Sequence, residues 1–62
     1  MPFVQINMLE GRTIEQKRNL AKSVTKSVSD SLGIPESNVT IIIKDVPKTN
    51  FSQGGTLTID KE

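Results

Sequence analysis

Pro2 and Arg12 are the two residues of this 62-residue chain whose type and position best suit chemistry. The sequence holds no Cys and no His, which removes thiol nucleophiles, imidazole bases, disulfides and the usual zinc ligands. Chemistry is left to carboxylates, lysines, arginines, hydroxyls and the chain terminus. Initiator methionine is generally trimmed when the next side chain is small, so the mature chain is expected to begin at Pro2 with a secondary amine. An α-amino group titrates near ~7.7–8.0, and burial or a neighbouring cation lowers that value further. A neutral amine at pH 7 serves as a general base or a nucleophile. Arg12 follows the first predicted strand, and ligands of parallel sheets bind outside the carboxyl ends of strands. A guanidinium there holds a carboxylate bidentately. Phe51, one of 2 aromatics, lies beside Gly54-Gly55 and suits the wall of a small pocket. Each has a plainer alternative: a common Met-Pro start, a solvated turn arginine and a plug in the core.

The other charged residues suggest less. Arg18, Lys22 and Lys26 recur at helical spacing, but no stacking aromatic accompanies them and Glu15 and Asp30 flank them, so they read as a solvated face. The acids Glu10, Glu36, Asp45, Asp60 and Glu62 show no spacing of a metal site or a hydrolytic pair. A net charge of +1 gives no argument for nucleic acid or an acidic membrane. The longest apolar run, Val39 to Ile43 interrupted by Thr40, is far short of the ~20 residues that span a bilayer. The start of the chain lacks the pattern of a signal peptide. A cytoplasmic protein is expected, with no nucleic-acid or membrane partner.

These residues need elements to hold them. Val4, Ile6 and Met8 alternate with Gln5 and Asn7, which predicts a strand over residues 3–9. Thr13 with Gln16 forms a capping box, and apolar residues at 14, 20, 21, 24, 28 and 32 predict a helix over about 13–32. Gly33 suits a left-handed C-cap and Pro35 blocks continuation. The β-branched run Val39-Thr40-Ile41-Ile42-Ile43 predicts a strand covered on both faces. Residues 44–53 read as a loop, Gly54-Gly55 as a turn and residues 56–59 as a short last strand. The expectation is one α+β domain over 1–62, a two-layer β-α-β unit. At ~60 residues its core is marginal, and with one helix covering one sheet face the other face needs a second copy. Self-association is expected.

Met1-Pro2 opening directly into a strand, Leu9-Glu10-Gly11-Arg12-Thr13 leading to Glu15-Gln16-Lys17, and Phe51 with Gly54-Gly55 together resemble the 4-oxalocrotonate tautomerase family. The resemblance spans nearly the whole chain. It implies a β-α-β unit with a C-terminal hairpin, dimers sharing a four-stranded sheet and three dimers in a homohexamer. It implies proton transfer on a small 2-hydroxy-dienoate or enol/2-oxo acid, with no metal or cofactor. Pro2 would be the base, Arg12 the carboxylate anchor, and Phe51 with Leu9 part of an apolar pocket. The family's second arginine, which engages the keto or enol oxygen and a carboxylate from a neighbouring subunit, aligns with Thr40. Thr has one neutral hydroxyl and a shorter reach. A second expectation therefore stands beside the first: a low-activity or structural subunit of a hetero-oligomer.

Overall fold

Strand β1 (Phe3–Leu9) runs parallel to β2 (Thr40–Val46), in a register that pairs Phe3 with Thr40 and Leu9 with Val46. Helix α1 (Ile14–Leu32) connects them. In this computed structural model residues 1–61 are described; Glu62 lies outside them, as does the last position of the expected domain. Paired positions of parallel strands share a face. One face therefore carries Val4, Ile6, Met8, Ile41, Ile43 and Asp45, the other Phe3, Gln5, Asn7, Leu9, Thr40, Ile42, Lys44 and Val46.

The start and stop of α1 follow from local chemistry. Thr13 is extended, its hydroxyl accepts the Gln16 N–H at 3.1 Å, and the Gln16 side chain accepts the Thr13 N–H at 3.0 Å. Both bonds satisfy amides that the first helical turn leaves without partners. At the other end Gly33 takes the left-handed conformation (φ 65°) and its N–H reaches the Ser29 carbonyl. The helix covers the first sheet face with Leu20, Ala21, Val24 and Val28, all half-buried. Ile14 and Leu32, the ends of the expected stripe, are each 61% exposed. Nineteen helical residues reach ~28 Å whereas seven strand residues reach ~20 Å, so the helix overhangs its sheet.

Two boundaries differ from the sequence reading. Strand β2 begins at Thr40 and continues through Lys44 and Asp45 to Val46, where Pro47 ends it. Asp45 lies on the helix-facing side, and its carboxylate accepts a hydrogen bond from the Lys17 ammonium on α1. That pair pins the helix to the carboxyl end of β2. The last segment is a hairpin of two-residue strands, β3 (Ser52–Gln53) and β4 (Thr56–Leu57). Gly54 and Gly55 turn it with φ of 61° and 87°, the doubly left-handed geometry of a type I′ hairpin turn. The expected strand over 56–59 stops after Leu57, because Thr58 turns into a 3-10 segment and sends its N–H to the Phe51 carbonyl at 2.8 Å.

No described side chain is buried in the isolated subunit. Within one chain β2 is covered on one face only, as expected of a subunit with a single helix, and Ile42 on the open face is 43% exposed. The surface is 4620 Å², against about 4000 Å² for a compact chain of this mass. The radius of gyration is 14.7 Å where about 11 Å would be compact. The molecule is a plate of 44 × 23 × 13 Å with one face bare.

The capping box gives a direct test. Thr13→Ala should lower stability by about 1 kcal/mol, while Thr13→Ser, which keeps the acceptor, should lose far less. Urea unfolding at one fixed protein concentration measures both.

Candidate active site

The candidate residues fall at two ends of the sheet. Pro2 immediately precedes β1, is half-buried, and its carbonyl accepts the Thr40 N–H at 3.1 Å. That bond continues the β1–β2 ladder by one step, so Pro2 and Thr40 are neighbours within one subunit. Thr40 lies on the bare face and is exposed.

Leu9, Arg12 and Phe51 follow from the opposite end of the sheet. Leu9 is the last residue of β1, half-buried beside Val46. Glu10 extends the ladder by donating its N–H to the Val46 carbonyl at 3.0 Å. Gly11 then turns the chain with φ 114°, and Arg12 follows, exposed, at the entry to α1. Arg12 forms no ion pair with a described residue, so its guanidinium is available to an outside anion. From Val46 the chain passes Pro47 and a 3-10 turn (Lys48–Asn50) to Phe51, which is 36% exposed. Ile59, in the 3-10 segment that follows the hairpin, is 44% exposed.

The length of β1 keeps the two groups apart. Pro2 and Arg12 lie beyond opposite ends of a seven-residue strand, at least about 20 Å from one another. Within one subunit Arg12 and Pro2 therefore do not meet. No pocket is enclosed among the described residues. The same residues contain no cluster of three or more acids that would hold a metal ion, and no helix among them is long and apolar enough to cross a membrane. The Lys26 pKa is raised by its hydrogen bond to Asp30 and by that carboxylate's charge, but this pair lies on the solvated helix face.

Sequence reasoning missed Glu10. Its carboxylate accepts the backbone N–H of Lys48 at 3.0 Å, across 38 positions of chain. Composition gave no sign of it, because the donor is a backbone group.

A chain of this layout has many counterparts. The tautomerase enzyme family model matches residues 2–61. A probable tautomerase of Bacillus cereus is 46% identical over 61 residues, which is 98% of this chain and 100% of that protein. The 2-hydroxymuconate tautomerase of Comamonas testosteroni is 47% identical over 55 residues, 89% of this chain and 87% of its own. A heterohexamer 4-oxalocrotonate tautomerase from Chloroflexus aurantiacus superposes with a TM-score of 0.93 at 34% identity, covering 100% of both chains. The β-α-β plate, the hairpin and these matches define a small tautomerase fold. This chain belongs to the 4-oxalocrotonate tautomerase family of the tautomerase superfamily, and it is an isomerase of the tautomerase class.

Proposed function

We propose that this protein tautomerises a small 2-hydroxy-dienoate or enol acid to its 2-oxo form in a site built between copies of the chain. The observation that carries this reading is the separation of Pro2 from Arg12 along β1, together with the bare sheet face. An isologous, antiparallel meeting of two sheets sets the carboxyl end of one beside the amino end of the other. Pro2 of one subunit then meets Arg12, Leu9 and Phe51 of another. The bare face and the projecting hairpin supply the apolar surface for further contacts, and six copies is the assembly that fits the family resemblance.

In such a site the Pro2 secondary amine, neutral at pH 7, takes the proton of the dienol and returns it to a carbon of the conjugated chain. The product is the 2-oxo acid, and the amine ends as it began. Arg12 holds the substrate carboxylate through paired charge-assisted hydrogen bonds. It also disfavours an ammonium at Pro2, as does the low dielectric beside Phe51 and Leu9. No step needs a metal or cofactor. A free amine at Pro2 requires that Met1 be removed, because the Met1-Pro2 peptide makes that nitrogen a non-basic amide. The chain works in the cytoplasm on this reading.

The second reading, a low-activity or structural subunit, has one observation in its favour: Thr40 stands beside Pro2 where the family carries arginine. The Chloroflexus aurantiacus relative, described as a heterohexamer, is an assembly in which such a subunit has a place.

Phenylenolpyruvate turnover separates the two, with intact-mass spectrometry on the same sample. Activity is expected only from chains lacking Met1, and full activity in a preparation that retains Met1 would exclude the Pro2 base. Thr40→Arg adds a charge-assisted donor worth roughly 1.5–3 kcal/mol. It should improve kcat/KM for a dicarboxylate dienol over a monocarboxylate one by about tenfold to a hundredfold. Steady-state kinetics on both substrates measure that ratio, and an assembled variant with an unchanged ratio would place residue 40 away from the substrate.

A further inference from the structure

We infer that Glu10 is a positioning residue of the tautomerase site, acting through a bond to the Lys48 amide that fixes Arg12 and Phe51 relative to one another. The inference rests on the reading of Arg12 as the carboxylate anchor. Glu10 is attached to the end of β2 twice, once by its own N–H to the Val46 carbonyl and once by its carboxylate to the Lys48 N–H, both at 3.0 Å. The two bonds bracket Pro47, which has no N–H to offer. Lys48 heads a single 3-10 turn closed by the Asn50 N–H on the Pro47 carbonyl at 2.8 Å, so its own amide finds its acceptor in Glu10.

Both candidate pocket residues depart from this clip. Arg12 lies two residues past Glu10, joined to it only through Gly11. At φ 114° Gly11 occupies a conformation that other residues rarely adopt, and it leads the chain from the held Glu10 to Arg12 and the Thr13 cap. Phe51 lies three residues past Lys48, at the end of the 3-10 turn. The carboxylate thus ties the stem of the guanidinium arm to the stem of the aromatic wall. The same bond occupies the acid nearest in sequence to Arg12, and no ion pair joins Glu10 to that guanidinium. A Glu10 released from Lys48 would compete with the substrate for Arg12.

Anchoring that is equal in the ground and transition states appears in KM and leaves kcat alone. A merely structural clip would reduce the folded, assembled fraction, lowering apparent kcat with KM unchanged. The experiment is phenylenolpyruvate kinetics on the assembled protein for five variants: Glu10→Ala, Glu10→Gln, Lys48→Pro, Lys48→Ala and Arg12→Ala. Lys48→Pro deletes the donor at a helix-start position that tolerates proline, without touching Glu10. Lys48→Ala keeps the amide and reports what the side chain alone contributes.

Glu10→Ala and Lys48→Pro should each raise KM about fivefold to tenfold with kcat within about twofold. Glu10→Gln, whose amide oxygen still accepts, should stay close to wild type, and the KM of Lys48→Pro is read relative to that of Lys48→Ala, so that whatever the Lys48 side chain contributes cancels. Unchanged KM in both Glu10→Ala and Lys48→Pro, a loss confined to kcat, or loss of assembly in both would overturn the inference. So would a Glu10→Gln variant as impaired as Glu10→Ala, since the charge and not the bond would then matter. Arg12→Ala identifies which claim fails. A raised KM there with none in the clip variants removes Glu10 alone, whereas an unchanged KM removes the Arg12 anchor and the clip together.

Discussion

A strand in the β conformation cannot fold back on itself, and that rigidity governs this protein. Seven residues of β1 hold Pro2 and Arg12 at least about 20 Å apart, locked further by a full ladder to β2 from Phe3–Thr40 to Leu9–Val46. Neither side-chain rotation nor loop motion brings the amine to the guanidinium. On the proposed reading, the two groups that suit proton transfer on an anionic substrate are complementary halves that assembly joins.

The rest of the subunit is consistent with that constraint. A two-layer plate with one helix has one covered face, and none of its described side chains is buried while it stands alone. Ile42 and Phe3 on the bare face, and Ile59 in the C-terminal segment, keep 43%, 61% and 44% of their surface in water. Apolar area left in water by one copy is the area available to stabilise contact with another, at roughly 25 cal/mol per Å² buried. In the proposed assembly, folding and association would draw on the same surface, and the free energy that completes the core would also build the site.

Much of this was legible in the sequence, for local reasons. The capping box at Thr13 and Gln16, the left-handed stop at Gly33 and the Gly54-Gly55 turn each depend on residues within a few positions, and each stands where the pattern put it. The family and the β-α-β order were legible too, from Pro2, the Leu9–Thr13 segment and Phe51 with its glycines. What escaped depends on partners distant in sequence. Asp45 looked like a loop residue because its partner, Lys17, is 28 positions away. Residues 58 and 59 looked like strand until the Thr58 amide was found on the Phe51 carbonyl. The Glu10 clip was invisible because a backbone amide has no letter in the sequence. Thr40 was recognised as a departure, but its closeness to Pro2 in the same subunit needed the strand register.

The central claim, that Pro2 and Arg12 serve one another across copies, has a direct measurement. Pro2→Gln, whose larger side chain keeps Met1 in place, should be nearly inactive alone, and Arg12→Ala should be nearly so at substrate concentrations well below its raised KM, where all the samples are compared. When equal amounts are unfolded, mixed and refolded, pairs of unlike subunits contain one intact combination, Pro2 from one chain and Arg12 from the other. Activity should then rise to about a quarter of wild type by random pairing, with light scattering showing the wild-type assembly. A mixture that reaches the same assembly yet remains no more active than the average of its two components would contradict the account.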